Sequence, residues 1–210
     1  MTRLAKRNGV IFIISAPSGA GKTTLTKELR KQFQDIKVSV SCTTRARRPG
    51  EINGRHYRFI SKAVFLAMRN RGDFAEWAEV HGFLYGTPRK PLDRHLSAGR
   101  DVLLDIDVQG ARKIKRLYPE AVSVFLLPPS KAELERRLRL RGTDQAAAIQ
   151  RRLANAQDEI PSVIKYDYYI VNHDVAEALT ILQAIVRAER AKTARVADWH
   201  LEPLARRKQP

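Results

Sequence analysis

The most constraining feature of the chain is a strand, a glycine-rich loop and a helix in direct succession near the amino terminus. Residues 9–15 (Gly-Val-Ile-Phe-Ile-Ile-Ser) form a short β-branched run, which is typical of a strand covered on both faces. Pro17, Gly19 and Gly21 interrupt this run, and residues 23–33 have the spacing of an amphipathic helix. A buried strand that leads through a tight loop into a helix begins a βαβ unit, so the sequence predicts an α/β fold.

Further apolar runs extend this unit to a parallel sheet. Buried strands are predicted at residues 102–106, 121–127 and 168–172. Helices are predicted at residues 110–116, 131–139 and 176–190. Strands that alternate with helices are typical of a parallel sheet flanked by helices on both faces.

The stretch between the first helix and residue 102 has a different character. Short strands are predicted at residues 38–41, 56–59 and 83–85, with a helix near 62–69 and glycines between them. The expected architecture is therefore a P-loop parallel-sheet core with an inserted mixed α+β subdomain. The expected divisions are residues 1–36 and 99–194 for the core, 37–98 for the insertion and 195–210 for a basic tail.

Composition indicates an anionic partner. The 210 residues include 39 lysines and arginines against 22 aspartates and glutamates, which gives a formal net charge of +17. Such an excess suits a nucleotide, a nucleic acid or a membrane surface. No long run concentrates the basic residues, and no aromatic-interleaved stacking face accompanies them, so specific nucleic-acid binding is not expected.

The single cysteine, Cys42, allows neither an internal disulfide nor a multi-cysteine metal site. A reducing compartment fits best, and we expect a cytoplasmic protein. Basic residues before the apolar run 10–14 resemble a signal peptide, but that run is shorter than the ~7–15 residues that such peptides use. No segment approaches the ~20 apolar residues of a membrane span.

The loop after the first strand, Ala-Pro-Ser-Gly-Ala-Gly-Lys-Thr at residues 16–23, matches the phosphate-loop pattern except for its first position, where alanine replaces glycine. Backbone N–H groups must turn inward around phosphate oxygens there, and the glycines leave room for that approach. Lys22 supplies a charge to the phosphates, and Thr23 offers a hydroxyl to Mg²⁺. The alternative is a plain glycine turn with an exposed lysine. The residues predicted to bind the triphosphate nucleotide are Ala16, Pro17, Ser18, Gly19, Ala20, Gly21, Lys22, Thr23, Thr24 and Asn172.

A second anion-binding loop is predicted at residues 41–57, where arginines cluster with hydroxyl groups between glycines. Arg45 and Arg48 present planar guanidinium groups that suit paired phosphate oxygens, and Tyr57 adds a neutral donor. Taken alone, this loop could equally be an exposed basic surface loop.

Glu76, in the run Phe-Ala-Glu-Trp-Ala-Glu-Val at residues 74–80, changes that balance. A carboxylate close to a phosphate site is repelled by the phosphate and needs another role. Guanine presents adjacent N1–H and N2–H₂ donors that match two carboxylate oxygens, whereas adenine presents an acceptor at N1. Such a bidentate contact discriminates bases by about 1–3 kcal/mol. The alternative is a surface glutamate beside Trp77.

In family order and at family spacing, the chain resembles the guanylate kinases from about residue 9 to residue 190. The resemblance rests on the phosphate loop, residues 41–57 and 76–87, the run Leu-Asp-Ile-Asp-Val-Gln-Gly at 104–110, and residues 137–152. It implies reversible, Mg²⁺-dependent transfer of the ATP γ-phosphoryl group to GMP, with dGMP as a further acceptor. One departure is Ala46-Arg47, where the family often has a proline before the second substrate arginine.

The resemblance also implies individual roles. The GMP phosphate is assigned to Arg45, Arg48, Tyr57 and Tyr85. The guanine is assigned to Ser41, Glu76 and Thr87. Asp105 and Asp107 follow a buried strand, at the edge where parallel sheets place ligands, and are expected near Mg²⁺ or its water, with Thr23 and Asp105 as the candidate metal residues.

A helical lid is expected at residues 137–152. Arg137 and Arg141 are four residues apart and share a helix face, Gly142 and Thr143 interrupt the helix, and a second helix at 144–159 carries Arg152. The resemblance implies that Lys22, Arg45 and these three arginines act in catalysis. The alternative is that they are solvated residues paired with Glu133, Glu135 or Asp158, and Arg136, Arg139 and Arg151 are assigned to that alternative.

Three other functions compete with the kinase. Guanylate kinase-like binding modules have lost catalysis, but here the phosphate loop and lid arginines are intact. A kinase for a phosphorylated sugar would not need Glu76 and Thr87 as base readers. A weak, salt-sensitive association with nucleic acid is the third. No histidine or carboxylate pair suggests a general base, which fits phosphoryl transfer to an acceptor that is already an anion.

Overall fold

The computed structural model describes residues 8–80, 82–140 and 146–195. Its strands are β1 (Ile11–Ser15), β2 (Lys37–Val38), β3 (Cys42–Thr43), β4 (Arg58–Phe59), β5 (Phe74–Val80), β6 (Phe83–Pro88), β7 (Val102–Asp105), β8 (Val122–Leu127) and β9 (Tyr168–Val171). Its α-helices are α1 (Lys22–Gln32), α2 (Lys62–Asn70), α3 (Arg89–Ser97), α4 (Val108–Leu117), α5 (Lys131–Leu140), α6 (Ala146–Glu159) and α7 (Val175–Arg190).

Five strands form a central sheet in the order β2-β7-β1-β8-β9, and every neighbouring pair is parallel. The predicted parallel α/β core is therefore confirmed. Successive residues of β1 point to opposite faces, because the side-chain period of a strand is two. Both faces are covered by helices, which is why β1 reads as an unbroken apolar run.

Each face of the central sheet carries its own apolar cluster. Phe12 and Ile14 pack with residues of α1 and α7, among them Leu29 and Leu182. The opposite face of β1 packs with residues of α3 and α4, among them Ile114. These two clusters hold the loop between β1 and α1 at the carboxyl edge of the sheet.

A second, four-stranded sheet has the order β4-β3-β6-β5. Its β5–β6 and β3–β6 pairs are antiparallel, and β3–β4 is parallel. Phe65 of α2 stacks on Phe74 of β5 with ring centroids 4.5 Å apart. Gly86 lies under this pair, and a Cβ there would come within 2.8 Å of the Phe74 ring. The small sheet thus has a core of its own.

Several predicted boundaries in this region need correction. Of the strand predicted at 38–41, only Val38 lies in a strand: β2 pairs with β7 in the central sheet, and β3, which begins at Cys42, belongs to the small sheet. Strand β5 was not predicted as a strand at all. Phe74, Glu76 and Ala78 are the buried positions of its alternation, but Glu76 is charged and the opposite phase carries Ala75 and Trp77, which hides the period of two in the sequence.

Helix α3 was also missed. Its sequence is dominated by charged residues, and Pro91 near its start resembles a helix breaker. A proline in the first turn is tolerated, because the backbone N–H groups there have no partner within the helix. Leu92 anchors the helix in the core beneath it.

Helices α5 and α6 pack on each other through a separate apolar cluster formed by Leu134, Leu138, Ile149, Leu153 and Ala156. The predicted interruption at Gly142 and Thr143 lies outside the described residues. Within the described part of the chain, no helix has both the length and the apolar character needed to cross a membrane.

Candidate active site

The loop between β1 and α1 has the backbone that a phosphate cradle requires. Gly19 and Gly21 both adopt φ of +98°, which side chains with a Cβ rarely adopt. Gly21 is the N-cap of α1 and no side chain caps the helix, so the first N–H groups of α1 have no partner within the helix and are left for an anion. Thr23 and Thr24, predicted to bind the triphosphate, are exposed in the first turn of α1.

Asn172 supports this loop from below. Its side chain is buried and donates a hydrogen bond from Nδ2 to the carbonyl oxygen of Ala20 at 2.7 Å. A Cβ on Gly21 would collide with the same Nδ2. Asn172 was predicted to bind the nucleotide, and its observed contact is with the loop that would do so.

Lys22 and Asp105 form an ion pair at the carboxyl edge of the central sheet. Lys22 Nζ lies 2.7 Å from Asp105 Oδ1 and 3.4 Å from the carbonyl oxygen of Ile106. Ile14 and Asp105 are partners in the parallel ladder, so the register of β1 and β7 fixes this pair. Asp107 follows two residues later and is the N-cap of α4, accepting a hydrogen bond from Gly110 N at 2.8 Å.

Glu76 and Thr87 face each other across β5 and β6, and Thr87 Oγ1 donates to Glu76 Oε1 at 2.6 Å. Glu76 is only 5% exposed. Burial raises the pKa of its carboxyl group to about 7, with the Thr87 hydrogen bond acting in the opposite direction and the charge of Asp107 adding to the rise. Glu76 is thus a buried carboxyl group and not the surface residue of the alternative interpretation.

Arg45 is held by three neighbours. Its Nη2 donates to Glu51 Oε1 at 2.7 Å, its Nη1 to Glu51 Oε2 at 3.1 Å and to the carbonyl of Ala46, and its Nε to Tyr85 Oη at 3.3 Å. The guanidinium carbon also lies 5.6 Å from the centre of the Tyr57 ring. Burial raises the pKa of Tyr57 to about 12, which keeps its hydroxyl a donor.

A cavity of about 190 Å³ brings most of these groups together. Its lining includes seven of the predicted site residues: Lys22, Ser41, Tyr57, Glu76, Tyr85, Asp105 and Asp107. Thr87 reaches this cavity through Glu76. Arg48 has an exposed side chain, and its backbone holds Glu51: the N–H donates to Glu51 Oε2 at 2.7 Å, and the carbonyl oxygen accepts from Glu51 N at 3.1 Å.

The lid arginines occupy different environments. Arg137 donates from Nε to Glu133 at 2.7 Å and from Nη2 to the carbonyl of Asn172 at 3.0 Å. Its pairing with Glu133 is the one that the alternative interpretation named. Arg152 Nη1 lies 3.4 Å from Ser18 Oγ in the phosphate loop. Arg141 lies outside the described residues.

Arg136 and Arg139 follow the expectation for helix-surface residues. They pair with Glu133 and Glu135, at 2.7 Å and 2.6 Å respectively, with side chains more than half exposed. Side-chain hydrogen bonds from Arg136 and Arg137 hold the pKa of Glu133 at about 2.

Sequence reasoning did not identify two carboxyl groups near the site. Glu51 follows Gly50 in the arginine-rich loop, and an acidic residue among arginines was the available signal. Glu159 ends α6, and nothing in the local sequence distinguishes it. Burial raises the pKa of Glu159 to about 7, against the lowering effect of nearby Lys22.

The sequence is similar to known proteins over most of its length. The guanylate kinase family model matches residues 8–189. A guanylate kinase of Aromatoleum aromaticum is 50% identical over 194 residues, covering 92% of this chain and 95% of the relative. A guanylate kinase of Dechloromonas aromatica is 53% identical over 180 residues, covering 86% and 89% of the two chains.

Solved structures lead to the same family. The crystal structure of guanylate kinase from Anaplasma phagocytophilum superposes with a TM-score of 0.80 at 37% identity, covering 97% of this chain and 98% of that one. The chain therefore belongs to the guanylate kinase family and is a nucleoside monophosphate kinase.

Proposed function

We propose that this protein transfers the γ-phosphoryl group of ATP reversibly to GMP and dGMP, in a Mg²⁺-dependent reaction within the cavity between its two sheets. One observation carries the proposal: the buried Glu76–Thr87 pair and the Lys22–Asp105 pair line or adjoin the same cavity. The first pair suits a guanine base, and the second lies where the phosphate loop meets the sheet. A nucleoside monophosphate can therefore bind with its base at the first pair and its phosphate directed toward the second.

Guanine selection is assigned to Glu76, with Ser41 and Thr87 beside it. The N1–H and N2–H₂ groups of guanine donate to the Glu76 carboxylate, while Thr87 fixes the rotamer of that carboxylate through Oε1. Adenine would place an acceptor against the same oxygens, and the resulting unpaired buried group disfavours it.

The GMP phosphate is assigned to Arg45, Arg48, Tyr57 and Tyr85. Glu51 and Tyr85 already fix the Arg45 guanidinium, so little side-chain entropy is lost when phosphate binds. Arg48 is exposed at the mouth of the loop and would turn inward with the substrate.

ATP is assigned to the phosphate loop. Its backbone N–H groups and the start of α1 receive the phosphates, and Lys22 exchanges Asp105 for a phosphate oxygen. Arg137, Arg141 and Arg152 are assigned to the transferring group. The contact between Arg152 and Ser18 supports this assignment, because it already links α6 to the loop.

The residues present fit a Mg²⁺ ion that arrives with the nucleotide. Mg²⁺ keeps several waters and is usually held by one or two carboxylates together with substrate phosphates. Asp105 and the Thr23 hydroxyl suit that role, and among the described residues no cluster of three or more His, Cys, Asp or Glu forms a protein-only site. When bound, the ion neutralises charge on the phosphates.

The transfer itself needs positioning more than proton chemistry. An oxygen of the GMP phosphate attacks the γ-phosphorus, the bond from that phosphorus to the β–γ bridging oxygen breaks, and ADP leaves with the electron pair. The second pKa of a phosphate monoester is around 6, so the attacking oxygen is already an anion near neutral pH. Lys22, Arg45 and the lid arginines offset the charge of the two substrates.

The proposal also assigns a role to each of two segments of the chain and a cellular location to the protein. Residues 37–98 would bind GMP and residues 137–152 would close over ATP, which excludes water from the transfer. The small core shared by α5 and α6 supports their movement as a unit. A cytoplasmic location belongs to the same proposal and is supported by the single, buried thiol of Cys42.

A coupled assay with ATP and Mg²⁺ tests the proposal, offering GMP, dGMP, AMP, CMP and UMP separately. Turnover of GMP and dGMP, abolished by excess EDTA and restored by Mg²⁺, is the expected result. Equal turnover of AMP would contradict the role of Glu76. Nucleotide binding without turnover of any monophosphate would favour a binding module, and turnover of a sugar phosphate alone would favour the related kinase.

A further inference from the structure

A second cavity, larger than the one that holds the candidate active site, lies along α4. Its volume is about 450 Å³, compared with about 190 Å³ for the catalytic cavity. We call it the α4 groove, lined by Val108, Gln109, Ala111, Arg112, Lys113, Lys115, Arg116, Ser123, Ser162, Lys165 and Tyr166. None of these residues belongs to the set assigned to ATP or GMP. The groove begins beside Asp107, at the carboxyl edge of the sheet, and reaches Ser123 near the start of β8.

The lining of the α4 groove is basic. It includes five lysines and arginines, and no aspartate or glutamate is among its described lining residues. Two of the five are committed to neighbours: Lys115 lies 3.0 Å from Asp167, and Lys113 donates to the carbonyl of Trp77. The other three basic residues of the lining are therefore left to contribute positive charge.

Arg112, Arg116 and Lys165 provide the remaining charge. All three are exposed, and within the described part of the chain none makes an ion pair or a side-chain hydrogen bond. Arg112 and Arg116 are four residues apart on α4, so they lie on the same helix face, and like charges at this spacing destabilise a helix. Lys165 comes from the turn Ile160–Lys165 on the other wall. Three cations that have no ion-pair partner among the described residues thus line one concave surface.

The size and floor of the groove suit a compact ligand. Small-molecule sites commonly occupy about 300–1,000 Å³. Ala111, which is buried, and Val108 provide apolar surface, and the half-buried Ser162 adds a hydroxyl group. Guanidinium groups bind phosphate oxygens in pairs, which favours a phosphorylated ligand over a simple carboxylate.

We propose that the α4 groove binds a small anion that carries two or more linked phosphate groups, contacted by Arg112, Arg116 and Lys165. A nucleoside polyphosphate and an inorganic oligophosphate share this chemistry. A nucleic-acid strand fits less well, because such strands bind by stacking bases on aromatic rings. The single aromatic residue of the lining, Tyr166, packs edge-on against Phe125 with centroids 5.0 Å apart.

Isothermal titration with inorganic tripolyphosphate tests this proposal on the full chain. Two binding sites are expected, one at the phosphate loop and one in the groove. The triple variant R112Q/R116Q/K165Q should keep the first site and weaken the second by about 10-fold or more, since it removes three charge-assisted contacts. The second site should also weaken with added salt.

A charge-matched control separates this site from general attraction. K27Q/R30Q/R187Q also removes two arginines and one lysine, but from exposed positions on α1 and α7 that line no part of the groove. It should keep both sites. In the absence of tripolyphosphate, both triple variants should turn over GMP within about twofold of the wild type, as substitutions at exposed positions usually allow.

The identity of the ligand follows from a second titration, with ATP. Tighter second-site binding of ATP than of tripolyphosphate would identify a nucleoside polyphosphate, and equal affinity would identify the phosphate chain alone. A single site in the wild type, or equal weakening in both triple variants, would overturn the proposal. So would binding of a short oligouridine that only the groove variant loses while tripolyphosphate binding stays unchanged.

Discussion

Both carboxylate oxygens of Glu51 accept hydrogen bonds from the guanidinium of Arg45, at 2.7 Å from Nη2 and 3.1 Å from Nη1. The same carboxylate accepts the backbone N–H of Arg48 at 2.7 Å, so one side chain closes the loop that carries both arginines. Arg45 and Glu51 hold each other in their charged forms, and the pKa of Glu51 is lowered chiefly by the Arg45 hydrogen bonds. Glu51 is therefore a positioning residue for the proposed GMP-phosphate site.

Glu51→Gln should raise the KM for GMP by about 5- to 10-fold, because glutamine keeps a neutral hydrogen bond to Arg45 and loses only the charge assistance, about 1–1.5 kcal/mol. The KM for ATP should stay close to that of the wild type, since the phosphate loop lies elsewhere. Steady-state kinetics with each substrate varied in turn gives both values, with the exposed Glu79→Gln as control. A lower KM for GMP would show instead that Glu51 competes with the substrate for Arg45.

Gly110→Ala separates stability from substrate binding. A Cβ at this position would lie 2.9 Å from Glu76 Oε2 and 3.2 Å from Asp107 Oδ1. Alanine favours a helix over glycine by about 1 kcal/mol, so the melting temperature should hold or rise. The displaced Glu76 carboxylate should raise the KM for GMP several-fold. Thermal unfolding and kinetics on the same sample test both effects, and an unchanged KM for GMP would argue against the base-reading role of Glu76.

Asn172→Ala should weaken ATP binding without affecting GMP selection. The substitution removes the donor that satisfies the carbonyl of Ala20, whose residue is fully buried, at a cost of about 1–3 kcal/mol. The loop that Asn172 supports should then bind ATP about 5-fold more weakly or worse. Titration with ATP measures the loss, and Asn70→Ala on exposed α2 is the matched control. Equal ATP affinity in both variants would contradict the supporting role.

The pH dependence of base selection should report Glu76. Its folded pKa is about 7, raised from 4.5 by burial, so the carboxylate that accepts from guanine becomes fully populated only above neutral pH. The ratio of kcat/KM for GMP to that for inosine monophosphate should therefore rise between about pH 6 and pH 8, because kcat/KM reports groups of the free enzyme. Taking the ratio cancels the titration of the substrate phosphate. A ratio independent of pH would contradict the raised pKa.

The same shift has a consequence for stability. A carboxyl group with a raised pKa keeps a proton in the folded protein that the unfolded chain has released, so the free energy of unfolding falls as pH rises from about 4.5 to about 7. The free energy of unfolding, measured with denaturant at several pH values in that range, should fall less steeply with pH in Glu76→Gln than in the wild type. An identical pH dependence of the free energy of unfolding in both proteins would show that the pKa of Glu76 is not raised.

Parallel strands were the part of the fold that could be read from the sequence. Strands β1, β7 and β8 are buried on both faces, so each is a mainly apolar run without alternation. Strand β2 has two residues and is recognised only by its pairing with β7, which no local pattern records. Strand β5 buries the charged Glu76 between Phe74 and Ala78, so its period of two does not show as an alternation of apolar and polar residues.

The candidate site divides in the same way. Lys22 and Asp105 could be named because a motif and a strand end single them out, and Glu76 because a carboxylate near a predicted phosphate site needs another role. Glu51 and Glu159 depend on how the chain folds back: Glu51 meets Arg45 across a closed loop, and Glu159 approaches Lys22 from the end of α6. The pairing of Arg137 with Glu133 was among the named alternatives, since residues four apart on a helix are neighbours.

The most direct test of guanine reading by Glu76 compares GMP with inosine monophosphate, which lacks only the 2-amino group, in the wild type, Glu76→Gln and Glu79→Gln. Glu79 lies on the same strand but is exposed, so it controls for loss of a carboxylate. The wild type and Glu79→Gln should prefer GMP by about 10-fold or more in kcat/KM, as a bidentate base contact provides. Glu76→Gln should bring that preference close to one. An unchanged preference in Glu76→Gln would show that another group reads the base.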